Sequence, residues 1–224
     1  MNAFELRCGE RPVDLPMSAR RLLAFLALRG CPTERVHVAG ALWLDVSEER
    51  ANANLRSALW RLRRPGHRVV ESRGTRLALA AHMRVDVHRA EGQARRLIAD
   101  AEPRPLRLDA LELEGELLPG WYEDWVLLER ERFRQLALHG LEALGERLVA
   151  AGRYAEAADV ALCAVAREPL RESAHRLLIR VHLAEGNRSE ALRGYRIFSE
   201  LTERQLGVPP SPELRSLVGG MAEV

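Results

Sequence analysis

A 34-residue internal repeat in the second half of the chain restricts its fold more than any other feature. Four residues recur after this offset: Leu144, Gly152, Glu156 and Ala157 are repeated as Leu178, Gly186, Glu190 and Ala191. This is the period of tetratricopeptide-type helical hairpins, which stack on one another and offer a surface to protein partners. The second copy is looser, because Ile179 stands where the first copy has Gly145.

Small residues in the first copy occur where antiparallel helices must approach closely. Ala157, Ala161 and Ala164 follow helical spacing and predict the contact face of the second helix. Gly152 supplies the turn between the two helices, and Pro169 ends the second. The pattern predicts an all-α repeat domain and leaves an untyped helical bundle as the alternative.

Composition excludes several other classes of protein. Of 224 residues, 47% are hydrophobic, so the chain can bury a core. The longest apolar stretch, Leu22 to Leu28, is far shorter than the roughly 20 residues of a membrane span. No basic start followed by an apolar run indicates a signal peptide, and three isolated cysteines suit a reducing compartment. We therefore predict a cytoplasmic protein without a membrane partner.

Charge is divided unequally along the chain. All 34 cationic residues are arginine, which looks like codon bias, so the position of an arginine indicates more than the total number. Residues 1–90 hold 16 arginines and 9 acidic residues, a net +7, whereas residues 91–224 hold 18 and 23, a net −5. This asymmetry favours a nucleic-acid-binding module followed by a protein-contacting domain, with chance scatter as the alternative.

The first 85 residues predict a hairpin, three helices and a second hairpin. Short extended runs at Phe4–Leu6 and Pro12–Leu15 flank a turn at Gly9. Ser18, Thr33 and Ser47 are predicted to cap the three helices, the last of which runs to about Arg64. The second hairpin turns around residues 72–75. This order is typical of a winged helix-turn-helix of the OmpR type.

The third helix carries the candidate DNA-binding residues. Leu55, Ala58, Leu59 and Leu62 share a predicted inner face. The opposite face and the basic hairpin give the predicted contacts: Asn54, Arg56, Ser57, Arg61, Arg63, Arg64, Arg73 and Arg76. Arginine can bond guanine bidentately, asparagine can pair with adenine, and flanking arginines can grip phosphates. An ordinary exposed arginine-rich helix is the alternative. For Trp60, packing against a neighbouring element is favoured over contact with a thymine methyl.

Several segments together resemble the bacterial transcriptional activator domain, BTAD. They are Leu-Leu-Pro-Gly-Trp-Tyr-Glu-Asp-Trp-Val (117–126), Glu-Arg-Glu-Arg-Phe (129–133), Ala-Gly-Arg-Tyr-Ala-Glu-Ala (151–157), Glu-Pro-Leu-Arg-Glu-Ser-Ala-His-Arg (168–176) and Leu-Gly-Val-Pro-Pro-Ser-Pro-Glu (206–213). With the winged helix before them, nearly the whole chain resembles a SARP-type (antibiotic regulatory protein) activator. The fold implied is mainly α with small β elements.

The resemblance also implies a domain division and a function. A winged helix over residues 1–85 would bind repeated promoter elements in double-stranded DNA, and a tetratricopeptide-like BTAD would occupy residues 86–224. RNA polymerase and a second protomer assembled on DNA are the implied partners. Trp60 stands where small or polar residues are common in the family. Another strand normally precedes the first hairpin, so either the sheet is reduced or the true start lies upstream.

The sequence gives little support to an enzyme. It has no phosphate-binding glycine loop and no metal-spaced set of histidines and cysteines, so we predict no catalysis, no cofactor and no metal site. His175 and His182 are predicted to be structural or surface residues. The alternative function is a protein-binding adaptor that works through its repeats and carries a degenerate winged helix.

Overall fold

The chain divides into two units, and the division falls within two of its helices. One unit comprises Met1–Arg89 and Glu116–Arg132, and the other comprises Ala90–Gly115 and Phe133–Val224. The structure is a computed structural model that describes residues 3–63, 68–99, 113 and 115–219. No helix in these ranges is long and apolar enough to cross a membrane.

The first unit is a winged helix. A hairpin of two-residue strands, β1 (Arg7–Cys8) and β2 (Arg11–Pro12), precedes α1 (Met17–Arg29). Strand β3 (Thr33–Glu34), α2 (Arg35–Leu42) and α3 (Glu48–Arg61) follow. Strands β4 (Val70–Arg73) and β5 (Arg76–Leu79) form the wing, and β5 lies between β3 and β4 in an antiparallel sheet. Helix α4 (Asp86–Ala99) comes next.

The predicted helix starts are confirmed at one cap and wrong at two. Ser47 caps α3, since its hydroxyl accepts a hydrogen bond from the backbone N–H of Arg50. Extended Pro16 occupies the cap of α1, which leaves Ser18 inside the first turn. Thr33 pairs with Leu77 as part of β3, and α2 begins two residues later at Arg35. Pairing with a distant strand therefore outweighs local capping at Thr33.

The core of the first unit joins the three helices to the wing. Leu22, Phe25, Leu42, Leu55 and Leu77 are almost fully buried within it. Trp125, from the later segment of this unit, packs edge-on to Phe25 with a ring-centroid distance of 5.3 Å. The inner faces of α1, α2 and α3 therefore pack in the core of the first unit, and their outer faces are left to contact external partners.

The second unit is a stack of antiparallel helices. It contains most of α5 (Asp124–Ala150), with α6 (Tyr154–Arg167), α7 (Glu172–Glu185), α8 (Arg188–Leu206) and α9 (Pro212–Gly219). The turn glycines of the repeat, Gly152 and Gly186, have φ values of +71° and +89°. Because side chains rarely adopt this left-handed region, glycine is favoured at both turns.

Small buried residues and a partly buried ion pair hold these helices together. Ala157, Ala161 and Ala164 are fully buried, as the spacing predicts. Arg171, at the cap of α7, donates to both carboxylate oxygens of Glu142 on α5 at 2.7 and 3.0 Å. Burial opposes ionisation of Glu142, but the hydrogen bonds from Arg171 and Ser173 outweigh it and hold its pKa below the usual value.

His175 has a structural role in this unit. Its Nε2 lies 2.9 Å from the carbonyl oxygen of Pro169, and its ring lies 4.3 Å from that of Phe198. Burial lowers the pKa of His175, although the bond to Pro169 acts in the opposite direction. The neutral ring is therefore the form that the fold favours, which agrees with the predicted structural role.

Some sequence predictions fail or fall outside the described residues. Leu128, an apolar residue near the start of α5, is 70% exposed. The third helix, predicted to run to about Arg64, ends at Arg61, and Arg64 itself lies outside the described residues.

Candidate nucleic-acid interface

Helix α3 is oriented by its buried stripe. Ala51, Leu55 and Ala58 are almost completely buried, and Leu62 continues the stripe just beyond the helix. Glu48 lies in the first turn, where a carboxylate stabilises the positive end of the helix dipole. The opposite face of α3 is left for an external partner.

The predicted contact residues of α3 occupy that outer face. Three of them are exposed on the helix itself: Arg56, Ser57 and Arg61. Arg63 is exposed just after the helix, Asn54 is half-buried at its edge, and Arg64 lies outside the described residues. Within the described part of the chain, no ion pair involves Arg56, Arg61 or Arg63. Arg61 Nη1 donates a long hydrogen bond of 3.4 Å to Ser18 Oγ, but no carboxylate of the described chain neutralises any of the three guanidinium groups.

Trp60 lies in the middle of the same face. The favoured prediction that it packs against a neighbouring element is wrong, because the residue is 72% exposed. At roughly 100° per residue, Trp60 points about 140–160° away from Leu55 and Ala58. An indole is thus presented to solvent among arginines.

Two adjoining surface depressions extend this face towards the wing. The first surrounds Trp60 and is lined by Arg35, Arg56, Ser57, Leu59, Arg61 and Arg63. The second lies between α3 and the wing and shares Arg35 and Arg63, with Arg68 added. Arg35, the first residue of α2, donates from Nη1 to Ser72 Oγ at 2.9 Å and so connects the start of α2 to the wing.

The wing arginines differ from those of α3 because carboxylates neutralise them. Arg73 pairs with Glu71 at 3.0 Å, and Arg76 pairs with Glu34 at 2.6 Å. The hydrogen bond from Arg76 holds the pKa of Glu34 below its usual value, and that from Arg73 does the same for Glu71. Both carboxylates are therefore ionised at neutral pH, and the wing contributes less net charge than its arginines suggest.

Comparison with known proteins places the chain in a family. The model of the bacterial transcriptional activator domain, BTAD, matches residues 83–220. The chain belongs to this family. The BTAD match includes α5 to α9, the helices that contain the 34-residue repeat.

Two relatives extend the likeness beyond the BTAD. The regulatory protein AfsR of Streptomyces griseus is 30% identical in an alignment of 215 residues that covers 90% of this chain and 22% of AfsR. EmbR of Mycobacterium tuberculosis, solved in complex with a low affinity phosphopeptide, matches with a TM-score of 0.72 at 20% identity and shows the same fold. That match covers 97% of this chain and 62% of EmbR. The resemblance to SARP-type regulators is confirmed, and the chain spans less than two thirds of either relative.

The winged helix of this BTAD-family member has two candidate contact residues that are not among those predicted from the sequence, Arg35 and Arg68. A helix cap at Thr33 gives no indication that Arg35 lies beside the wing, although an arginine at the start of a helix next to a basic hairpin is a signal that could identify it. Arg68 comes just before strand β4, and its position beside Arg35 and Arg63 depends on the pairing of the wing strands. The candidate interface therefore includes α3, the start of α2 and the groove next to the wing.

Proposed function

We propose that this member of the BTAD family is a cytoplasmic, sequence-specific DNA-binding regulator that activates transcription. In this proposal the winged helix, residues 1–85, binds promoter repeats in double-stranded DNA. The BTAD, residues 86–224, contacts RNA polymerase or a second protomer on the DNA. The observation that carries the proposal is the set of exposed arginines on and just after α3 that no carboxylate of the described chain neutralises.

The chemistry of that face suits the major groove of DNA. A helix fits the groove when one face packs on its own domain and the other carries donors, as α3 does. Arg56 and Arg61 project from the helix itself and are the candidates for reading base edges, since a guanidinium can donate two hydrogen bonds to guanine. Arg63, after the helix, and Arg35, at the start of α2, are the candidates for contacts with phosphates.

The repeat helices support the second half of the proposal. Helical hairpins of this type leave an extended surface for protein partners. Repeated promoter elements would bring two copies of the chain together on one DNA, which allows protomers to assemble there without a stable dimer in solution. The chain would thus join a promoter to a protein partner.

Binding of the full chain to duplex DNA tests the proposal directly. A duplex enriched from a randomised library by the purified chain should bind more tightly than a scrambled duplex of the same composition. A plot of the logarithm of the binding constant against the logarithm of the salt concentration should have a slope of about −3 or steeper, because three or more phosphate contacts release counterions. Measurement is by fluorescence anisotropy from low to physiological salt. No enrichment, or salt-independent binding, would contradict the proposal.

Replacing Glu34 by glutamine should strengthen DNA binding. The change removes the carboxylate that pairs with Arg76 and leaves the arginine free to approach a phosphate. We expect affinity to rise several-fold and the salt slope to steepen by about 1. The matched control is Glu190→Gln, which removes the same charge from an exposed ion pair with Arg193 on α8. Equal gains in both variants would indicate an effect of net charge and refute a specific role for Arg76.

A further inference from the structure

Trp60 is exposed at a position where neither the fold nor the core requires an indole. It lies opposite the buried stripe of α3 and is not part of the hydrophobic core of its unit. Large aromatic side chains contribute most to binding when both partners exclude water from them, and their exposure leaves that free energy unused. The position therefore indicates a surface that an external partner covers.

The surroundings of Trp60 restrict what that partner can be. Arg35, Arg56, Arg61 and Arg63 line the same depression, together with Ser57 and Leu59, and no acidic side chain of the described chain lines it. A complementary partner has negative charge at its edges and an apolar group at its centre. The major groove meets both conditions, because phosphates form its walls and the 5-methyl groups of thymine project from its floor.

We propose that Trp60 is a specificity-determining residue that contacts thymine 5-methyl groups in the major groove. This rests on the proposed function and names the base that α3 selects in addition to any guanine read by arginine. The flat indole covers the methyl group and removes it from water, while the arginines around it hold the phosphates. Cytosine at the same position presents no methyl group and leaves the indole against solvent.

Replacing thymine by deoxyuridine tests this contact without changing base pairing. The probe is the duplex enriched by the full chain, prepared with thymine or with deoxyuridine throughout. The wild-type chain should bind the deoxyuridine duplex about fourfold more weakly for each methyl group contacted, the effect of burying one such group. Trp60→Ala should bind the thymine duplex more weakly than wild type and should distinguish the two duplexes by less than about twofold.

Two further variants separate contact from general loss of surface. Trp60→Phe keeps an aromatic face and should retain most of the discrimination. Leu128→Ala removes an equally exposed apolar side chain from α5 and should change neither affinity nor discrimination.

Irradiation of a duplex containing 5-bromodeoxyuridine, whose bromine occupies the place of the methyl group, tests the contact without any variant. It should crosslink the wild-type chain at Trp60.

The outcomes distinguish this proposal from the one on which it rests. Equal binding of the two duplexes by the wild-type chain, or undiminished discrimination by Trp60→Ala, would overturn the role of Trp60 and leave DNA binding intact. Absence of binding to any duplex would overturn both. Crosslinking at Trp60 together with discrimination that disappears in Trp60→Ala would establish the contact.

Discussion

Replacing Arg56 and Arg61 together by alanine should lower the affinity for the enriched duplex by about 30-fold or more. Each arginine that bonds a base or a phosphate is worth roughly 1–3 kcal/mol, and tenfold in affinity corresponds to about 1.4 kcal/mol. Neither side chain pairs with a carboxylate in the described chain, and the hydrogen bond from Arg61 Nη1 to Ser18 Oγ is long at 3.4 Å, so little intramolecular interaction is lost with them. The variant should therefore fold like wild type and fail specifically in binding.

The matched control removes the same charge from the other unit. Arg188 and Arg204 are exposed on α8, and Arg188→Ala with Arg204→Ala lowers the net charge by the same amount. Anisotropy titrations at fixed salt should show only a small loss for this control, and melting by circular dichroism should be unchanged in both double variants. An equally large loss in the control would mean that binding depends on total charge and not on α3.

Charge-conserving substitutions separate base contacts from phosphate contacts. Arg61→Lys keeps a cation but loses the two-pronged donor geometry that matches guanine. If Arg61 reads a base, the variant should lose preference for the enriched duplex over single-base variants at one position while its salt slope stays the same. If Arg61 contacts phosphate only, preference should be kept. The half-buried Asn54 should contribute less than either arginine.

The sequence predicted correctly those elements that local geometry requires. Gly152 and Gly186 have backbone conformations that glycine favours, and Gly74 lies at a φ of +60° in the wing turn, so these turns are visible in the sequence itself. The buried stripe of α3 follows helical spacing in the same way. Local steric rules therefore account for the helices, the wing and the face on which Arg56 lies.

Features that depend on distant partners could not be predicted from the same rules. Strand β3 has only two residues and exists because Thr33 and Glu34 pair with Leu77 and Arg76. A reading based on neighbouring residues assigns Thr33 to a helix cap instead, and misses the position of Arg35 beside Ser72 for the same reason. The neutralisation of Arg76 by Glu34 is also a consequence of this pairing.

Trp60 shows a second kind of limit on prediction. Helical spacing places it on the outer face of α3, but spacing alone does not tell whether another element covers that face. Tryptophan is highly buried on average, which favoured packing. The structure leaves the indole exposed among arginines. The exposure of Trp60 therefore depends on whether a distant element covers the outer face of α3, which the residue type alone does not predict.

The looseness of the second repeat has an explanation in side-chain volume. Ile179 occupies the position of Gly145, and Gly194 occupies that of Val160. A Cβ added at Gly194 would lie 3.6 Å from Cγ1 of Ile179, an ordinary contact distance. In the second copy Ile179 therefore packs beside a glycine, Gly194, which leaves room for its larger side chain.

Replacing Gly145 by valine should destabilise the chain by about 2–3 kcal/mol. A Cβ at this position would lie 2.4 Å from Cδ2 of Leu177 and 3.2 Å from Cδ1, well inside contact distance. Leu177 is 1% exposed, so either its side chain repacks within the core or α5 and α7 move apart. Overpacking of this kind costs roughly 1–3 kcal/mol, and the branched side chain lies at the upper end. The measurement is urea unfolding followed by circular dichroism.

Gly194→Ala is the matched control, because it places a methyl group on a helical glycine of the same unit where space exists. Alanine favours the helix over glycine by roughly 0.5–1 kcal/mol, so this variant should be more stable than wild type.

Leu177→Ala alone leaves a cavity and should destabilise the chain by roughly 2–5 kcal/mol. Combined with Gly145→Val, it should destabilise by less than the sum of the two single changes, since the added methyl groups then fill the space that Leu177 leaves. Additive effects in the double variant would show that contact between these two positions does not set the spacing of α5 and α7.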